Sequence, residues 1–122
     1  MPTLLGLMGL PIPQGISGND YSSVLLGKSE ERPASALFTQ PSRKGVRTER
    51  YLMTLSYKDE EGYKDLGVFD LAADPYQKAP LSPNAVPDED MLTLRRELGK
   101  HLMLSHDPWY KKRLYSDFII YP

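Results

Sequence analysis

Gly45-Val46-Arg47-Thr48-Glu49-Arg50-Tyr51-Leu52-Met53-Thr54-Leu55-Ser56-Tyr57 is the stretch that decides the fold. From Tyr51 onward, Tyr51, Met53, Leu55 and Tyr57 share one face of an extended chain, and Leu52, Thr54 and Ser56 share the other. That alternation is the signature of a half-buried antiparallel strand. Thr48-Glu49-Arg50-Tyr51 breaks the pattern on its upstream side, so residues 45–48 read as the preceding strand of a hairpin. Further upstream, residues 36–40 form a short strand candidate, with Leu37 and Thr39 on one face and Phe38 on the other. The polar run Pro41-Ser42-Arg43-Lys44-Gly45 reads as the turn between them. Downstream, Asp59-Glu60-Glu61-Gly62 carries a turn signal, with glycine where a positive φ is tolerated. Residues 64–71 then read as the next strand, with Leu66 and Val68 on one side.

The C-terminal third changes period. Asp74-Pro75-Tyr76-Gln77 starts a tight turn, and residues 78–87 hold three prolines in an extended connection. Met91, Leu94, Leu98 and Leu102 recur at three- and four-residue steps and predict a helix over 88–104. Asp88, Glu89 and Asp90 lie in its first turn, with Lys100 and His101 near its last, the charge order a helix dipole favours. Gly99 costs such a helix roughly 1 kcal/mol against alanine, which predicts close packing on the sheet. Asp107-Pro108-Trp109 ends the element and starts an extended tail, and residues 114–121 form a last strand or wrap the sheet edge. At the other end, residues 2–8 predict a short helix with Pro2 in its first turn. Leu4, Leu5, Leu7, Met8 and Leu10 leave it almost no polar face, and such a helix belongs inside something larger. Residues 9–18 read as a Pro/Gly loop, Asn19 and Asp20 as caps for a turn over 21–26, and Lys28-Ser29-Glu30-Glu31-Arg32 as a solvated run. The fold class is α+β: a small antiparallel sheet of about four strands packed against one long C-terminal helix, with a short N-terminal helix.

Composition narrows the function. At 122 residues the chain suits one modest core, and a net charge of -1 argues against a nucleic-acid footprint. No apolar run approaches the length that spans a bilayer. Residues 1–10 are apolar but lack the basic n-region and small-residue cleavage site of a signal peptide. With no cysteine, thiolate metal sites, disulfides and cysteine nucleophiles are removed together.

Few residues point to chemistry. His101 and His106 have no zinc-type spacing, and no phosphate-cradling glycine loop or Gly-x-Ser-x-Gly elbow occurs. The adjacent carboxylates Asp59, Glu60 and Glu61 read as a solvated turn. Arg43, Lys44, Arg47 and Arg50 place four cations within eight residues, and guanidinium forks match sulfate oxygens well. They read either as a sulfate or sulfated-sugar site or as turn and strand-edge ion pairs. Trp109 either stacks on a sugar face or pins the tail to the helix.

Val46-Arg47-Thr48, followed about twenty residues on by Val68-Phe69-Asp70-Leu71-Ala72-Ala73-Asp74-Pro75-Tyr76, resembles the C-terminal signature of the formylglycine-dependent (type I) sulfatases of the alkaline-phosphatase-like superfamily. Pro2-Thr3-Leu4-Leu5 resembles a helix near the end of that family's catalytic domain. Gln77 departs from the usual glutamate, and Ala79-Pro80-Leu81 from the usual Asn-Leu. The resemblance implies that residues 1–27 are the end of the catalytic α/β domain and its connection, and that residues 28–122 are a sulfatase-like C-terminal subdomain. It also implies that the formylglycine and the calcium site lie in a catalytic part outside this chain, since the Cys/Ser-x-Pro-x-Arg motif is missing here. On this reading the chain carries no catalytic residue, metal or cofactor of its own and is inactive alone. It plays a structural and substrate-rim role in a sulfuric ester hydrolase, beside the rest of the catalytic domain. Its candidate contacts to a sulfated small molecule or glycan are Arg43, Lys44, Arg47, His106 and Trp109. The alternatives are a stand-alone module for sulfated or phosphorylated glycans, or a fragment without independent function. Residues 1–10 are the candidate surface for self-association. Compartment stays open between periplasmic, secreted and cytoplasmic.

Overall fold

The computed structural model describes residues 1–58 and 62–122, and the side chains outside 57–64. Asp59, Glu60 and Glu61 of the expected turn lie outside the described residues. The chain divides into two compact units, Met1–Pro33 and Ala34–Pro122.

The larger unit is a sheet covered by a helix. Strands β1 (Ala36–Gln40), β2 (Arg43–Arg47), β3 (Tyr51–Lys58) and β4 (Gly62–Asp70) form a meander in the order β1-β2-β3-β4. Every neighbouring pair is antiparallel. The first hairpin turns on Pro41 and Ser42 alone, because Gln40 pairs with Arg43, so Arg43, Lys44 and Gly45 belong to β2 and not to a turn. The second hairpin is tied by Thr48: its amide donates to the Tyr51 carbonyl at 2.8 Å, and its hydroxyl accepts from the Tyr51 amide at 3.1 Å. Beyond β4, Asp70 accepts from the Ala72 amide at 3.0 Å, and Asp74 accepts from the Ala79 amide at 2.9 Å. The two aspartates thus close the turn that the Asp-Leu-x-x-Asp-Pro run predicts. Leu81 then bridges back to Val68 and covers the β4 edge.

Helices flank the sheet in sequence. Helix α1 (Pro2–Leu7) and helix α2 (Ser22–Leu25) lie in the smaller unit, and helix α3 (Asp88–Leu104) in the larger, with the bounds its charges and apolar stripe predict. Helix α3 packs on the sheet face that carries Val46, Met53, Leu55 and Val68, all fully buried. Leu94, Leu98 and Leu102 meet them from the helix, joined by Val86, Trp109 and Ile119. Each fully buried aliphatic side chain contributes about 1.5–3 kcal/mol.

The tail differs from expectation. Residues 108–121 form no strand; a short helix α4 (Pro108–Lys111) is followed by turns. Asp107 is its N-cap, with a carboxylate oxygen accepting from the Trp109 amide at 2.9 Å, and Pro108 takes the first turn where its missing N–H costs nothing. The tail then crosses α3 at Gly99. A Cβ there would sit 2.8 Å from the Ile120 carbonyl carbon. The close contact that Gly99 permits is therefore with the tail and not with the sheet. Arg95 clamps the crossing: its Nε donates to the Phe118 carbonyl at 2.5 Å, and its guanidinium lies 5.0 Å from the Phe118 ring.

Tyr121 closes the tail on itself. Its hydroxyl donates to the Leu114 carbonyl at 2.7 Å and lies 3.3 Å from that of Trp109. Burial, reinforced by the Asp107 carboxylate, pushes its pKa from 10.0 up to about 12. Below pH 10 the hydroxyl is neutral in both folded and unfolded chains, and its stabilisation is fully present. Between pH 10 and about 12 only the unfolded chain gives up the proton, so stability falls as pH rises. Thermal unfolding across that window should show a steeper loss of Tm in the unmodified chain than in Tyr121→Phe. Equal slopes would refute the assignment.

The smaller unit pairs α1 with α2. The Thr3 hydroxyl donates to the Asn19 carbonyl at 3.2 Å and accepts from the Tyr21 amide at 3.1 Å. The Asp20 carboxylate accepts from the Ser22 amide at 2.8 Å. Only Pro2 of α1 and Ser22 of α2 are buried. Leu4, Met8, Leu25 and Leu26 are all more than half exposed.

Candidate functional site

The four clustered cations part company once they are placed on strands. Strand alternation turns Arg43, Gly45 and Arg47 to the outer face of the sheet and Lys44 and Val46 to the helix-covered face. The Lys44 ammonium is buried; it donates to Asp107 Oδ2 at 2.7 Å and to the Thr39 hydroxyl at 2.7 Å, and sits 5.5 Å from the Trp109 ring centre. This contact joins the β1–β2 hairpin to the corner between α3 and α4. Arg50 pairs with Asp70 at 3.0 Å, tying the turn before β3 to the end of β4. Arg50's hydrogen bond holds the Asp70 carboxyl below its ordinary range, aided by the Ala72 and Ala73 amides against a desolvation cost. The same bond raises Arg50.

Arg43 and Arg47 remain. They line a groove of about 390 Å³ on the outer face, together with Phe38, Gln40, Gly45, Leu52, Thr54 and Gln77. Arg43 Nε donates to the Ser56 hydroxyl at 3.0 Å, and neither arginine forms an ion pair among the described residues. Among the described lining residues there is no carboxylate. Cross-strand register explains the shape: Phe38 faces Gly45, Gly45 faces Thr54, and Thr54 faces Gly67. That row has small side chains in its centre and an aromatic ring at one end. A Cβ at Gly45 would lie 3.0 Å from the Met53 carbonyl oxygen and 3.3 Å from the Thr54 methyl, so only glycine leaves the floor as it is.

The other two candidates lie at the end of α3. Trp109 is 5% exposed, in the core, with its ring edge-on to Tyr115 at 5.0 Å. His106 is exposed with φ 52. Its amide donates to the Met103 carbonyl and that of Asp107 to the Leu102 carbonyl, both at 3.0 Å. This pair of bonds is a Schellman C-cap, with histidine in the left-handed position that glycine usually fills. The five predicted residues thus fall into two sets. Lys44, Trp109 and, next to them, His106 gather at the hairpin-to-corner contact, and Arg43 and Arg47 gather in the groove.

One further cluster resembles a nucleophile with its base. The Ser35 hydroxyl lies 2.5 Å from Glu97 Oε2 and 2.9 Å from His101 Nε2. Glu97 can only accept while ionised, so the serine proton goes to it and His101 Nε2 must donate to the serine oxygen. A histidine that donates to the hydroxyl cannot draw its proton off. The cluster therefore ties the start of β1 to α3. Among the described residues no group of three His, Asp or Glu side chains could hold a metal ion. Phe38, Gln40, Thr54 and Gln77 escaped the sequence reading. The available signal was Phe38 and Gly45 on opposite-facing positions to the core stripe, but it needs the pairing register to be seen.

No protein-family model matches the chain. An endo-4-O-sulfatase of Bacteroides thetaiotaomicron is 35% identical over 99% of this chain and 28% of its own length. A solved structure described under metabolism of multiple glycosaminoglycans by Bacteroides thetaiotaomicron, a 4S-sulf protein, superposes with TM-score 0.87 at 32% identity. It covers 98% of this chain and 29% of its own. A structure solved in complex with its substrate D-glucosamine-2-N,6-O-disulfate matches at TM-score 0.70 over 88% of this chain and 24% of its own, and at 20% identity shows the fold alone. The chain is thus similar to a part of these sulfatases and spans about a quarter of the length of the relatives it matches.

Proposed function

We propose that this sulfatase-related chain acts as the C-terminal subdomain of a sulfuric ester hydrolase, with a structural and substrate-rim role. The observation that carries the reading is the match itself: nearly all of the chain aligns with a minor part of a sulfatase. Two features support it. The chain's own residues do not fit the groups that sulfate-ester cleavage uses in this family. There is no cysteine to mature into formylglycine, no Ser-x-Pro-x-Arg alternative, and no cluster of three metal-ligating side chains among the described residues. The smaller unit exposes Leu4, Leu7, Met8, Leu10, Leu25 and Leu26, an apolar surface that other polypeptide would cover. We assign that cover to the rest of the sulfatase catalytic domain, which in this reading holds the formylglycine and calcium.

The rim role falls to the corner where Lys44 holds Asp107. In this reading it holds the β1–β2 hairpin near His106, and both would border a pocket that the catalytic domain completes. The glycosaminoglycan description of one relative makes a sulfated saccharide the proposed substrate class of the whole enzyme. The test is direct. The isolated chain, supplied with calcium and an aryl sulfate ester, should release no sulfate above the buffer rate. Turnover by the purified chain would overturn the reading.

A further inference from the structure

The outer face of the sheet carries its own recognition chemistry. Arg43 and Arg47 lie four residues apart on one strand, about 13 Å at the usual rise per residue, with the glycine floor between them. Each guanidinium keeps donors that no described carboxylate takes. Asp65, at the far end of the Gln40–Arg43–Ser56 cross-strand row, forms no ion pair with Arg43. The two cations border one concavity with no counter-charge among the described residues, and an oxyanion would supply one. Planar forks with free N–H groups favour sulfate or carboxylate bound through paired hydrogen bonds. Between the arginines, Phe38, half exposed, lies beside Gly45 in the cross-strand row, and Gly45 beside Thr54. The amide side chains of Gln40 and Gln77 and the Thr54 hydroxyl add neutral hydrogen-bonding groups along the walls. An apolar platform, neutral hydrogen-bond partners and a cation at either side together fit a sugar ring with an anionic substituent. They fit an apolar protein face poorly, because burying two guanidinium groups that have no ion pair among the described residues would cost several kcal/mol each.

We infer that this groove binds an anionic saccharide, with Arg43 and Arg47 holding its sulfate groups and Phe38 underlying a ring. The choice of a sulfated sugar over other anions rests on the sulfatase reading above; the groove and its charge do not. The site is on the sheet's outer face and uses neither Lys44 nor Trp109.

The test is a titration of the 122-residue chain with a heparin-derived sulfated disaccharide, followed by backbone amide NMR. Three further arms use the desulfated disaccharide, inorganic sulfate alone, and the Arg43→Gln/Arg47→Gln variant. Expected are salt-sensitive binding and amide shifts centred on residues 38–47 and 52–54. The double variant should lose at least about tenfold in affinity, as two charge-assisted contacts imply. Inorganic sulfate should bind far more weakly than the disaccharide, and Phe38→Ala should weaken the disaccharide while leaving inorganic sulfate unchanged. The replaced side chains are exposed, so the variants should unfold at the same temperature as the parent. Absence of binding, shifts that map elsewhere, or undiminished affinity in the double variant would each overturn the inference. Inorganic sulfate matching the disaccharide would do the same, leaving an anion site only. Sulfate-ester turnover by the chain would instead sink the subdomain reading and leave the groove result standing.

Discussion

Gly99→Ala should destabilise the larger unit by about 3 kcal/mol or more, although alanine is the better helix former by roughly 1 kcal/mol. The sign is set by what the added methyl meets. The Ile120 carbonyl lies over Gly99 with its carbon 2.8 Å from the position a Cβ would take. That neighbour is backbone and cannot rotate aside. It is held by the Arg95 contacts to the Phe118 and Asp117 carbonyls, by Ile119 in the core, and by the Tyr121 hydroxyl on Leu114. To admit a methyl, the tail must lift from α3, and Ile119 must leave a site where it is 1% exposed. Urea unfolding measures the loss, and hydrogen exchange locates it in residues 114–121. Arg96→Ala, on an exposed position of the same helix, should change stability by no more than about 0.5 kcal/mol. If Gly99→Ala proves as stable as the parent, the crossing does not exist as described.

The same crossing shows what sequence reasoning could and could not reach. Helix α3 was legible to both ends, because its apolar stripe and its charged termini are local. The strands were legible for the same reason: alternation over residues 51–57 is written in consecutive side chains. Gly99 was legible as a cost that calls for close packing, but the partner was misplaced on the sheet. Its benefactor, Ile120, is about twenty residues away, and no local pattern joins them. Asp107-Pro108 illustrates a different failure. Read from the left, the pair stops a helix; read from the right, aspartate at the N-cap and proline in the first turn start one. The chain uses both readings within three residues, which puts a four-residue helix where an extended tail was expected. For the cations, strand alternation already separates Lys44 from Arg43 and Arg47, yet this was hidden by reading Arg43 to Gly45 as a turn. Once Gln40 is paired with Arg43, the sorting follows. The groove itself needs three register pairs at once, and none of those is local.

Asp107→Ala should be the costliest single replacement of a polar side chain, at about 4–6 kcal/mol. Two losses add. The α4 N-cap disappears, worth about 1 kcal/mol, since the Trp109 amide loses its acceptor. The buried Lys44 ammonium also loses its counter-ion, which costs about 3–5 kcal/mol when one partner of a buried pair is removed. The Thr39 hydroxyl at 2.7 Å and the Trp109 ring at 5.5 Å do not replace a full negative charge. Asp107→Asn keeps the cap and should cost less. The decisive comparison is Lys44→Met combined with Asp107→Asn, which removes both charges while keeping a capping oxygen and an apolar stem. That double variant should recover most of the stability lost in Asp107→Ala, because an uncharged buried pair has no desolvation to offset. A double-mutant cycle by denaturant unfolding, with both single variants, gives the coupling directly. Coupling near zero, or an Asp107→Ala loss no larger than a cap alone, would mean that water reaches the pair. The hairpin and the α3–α4 corner would then be held by Trp109 and its apolar neighbours, and the rim they are proposed to form would lack its fixed charge.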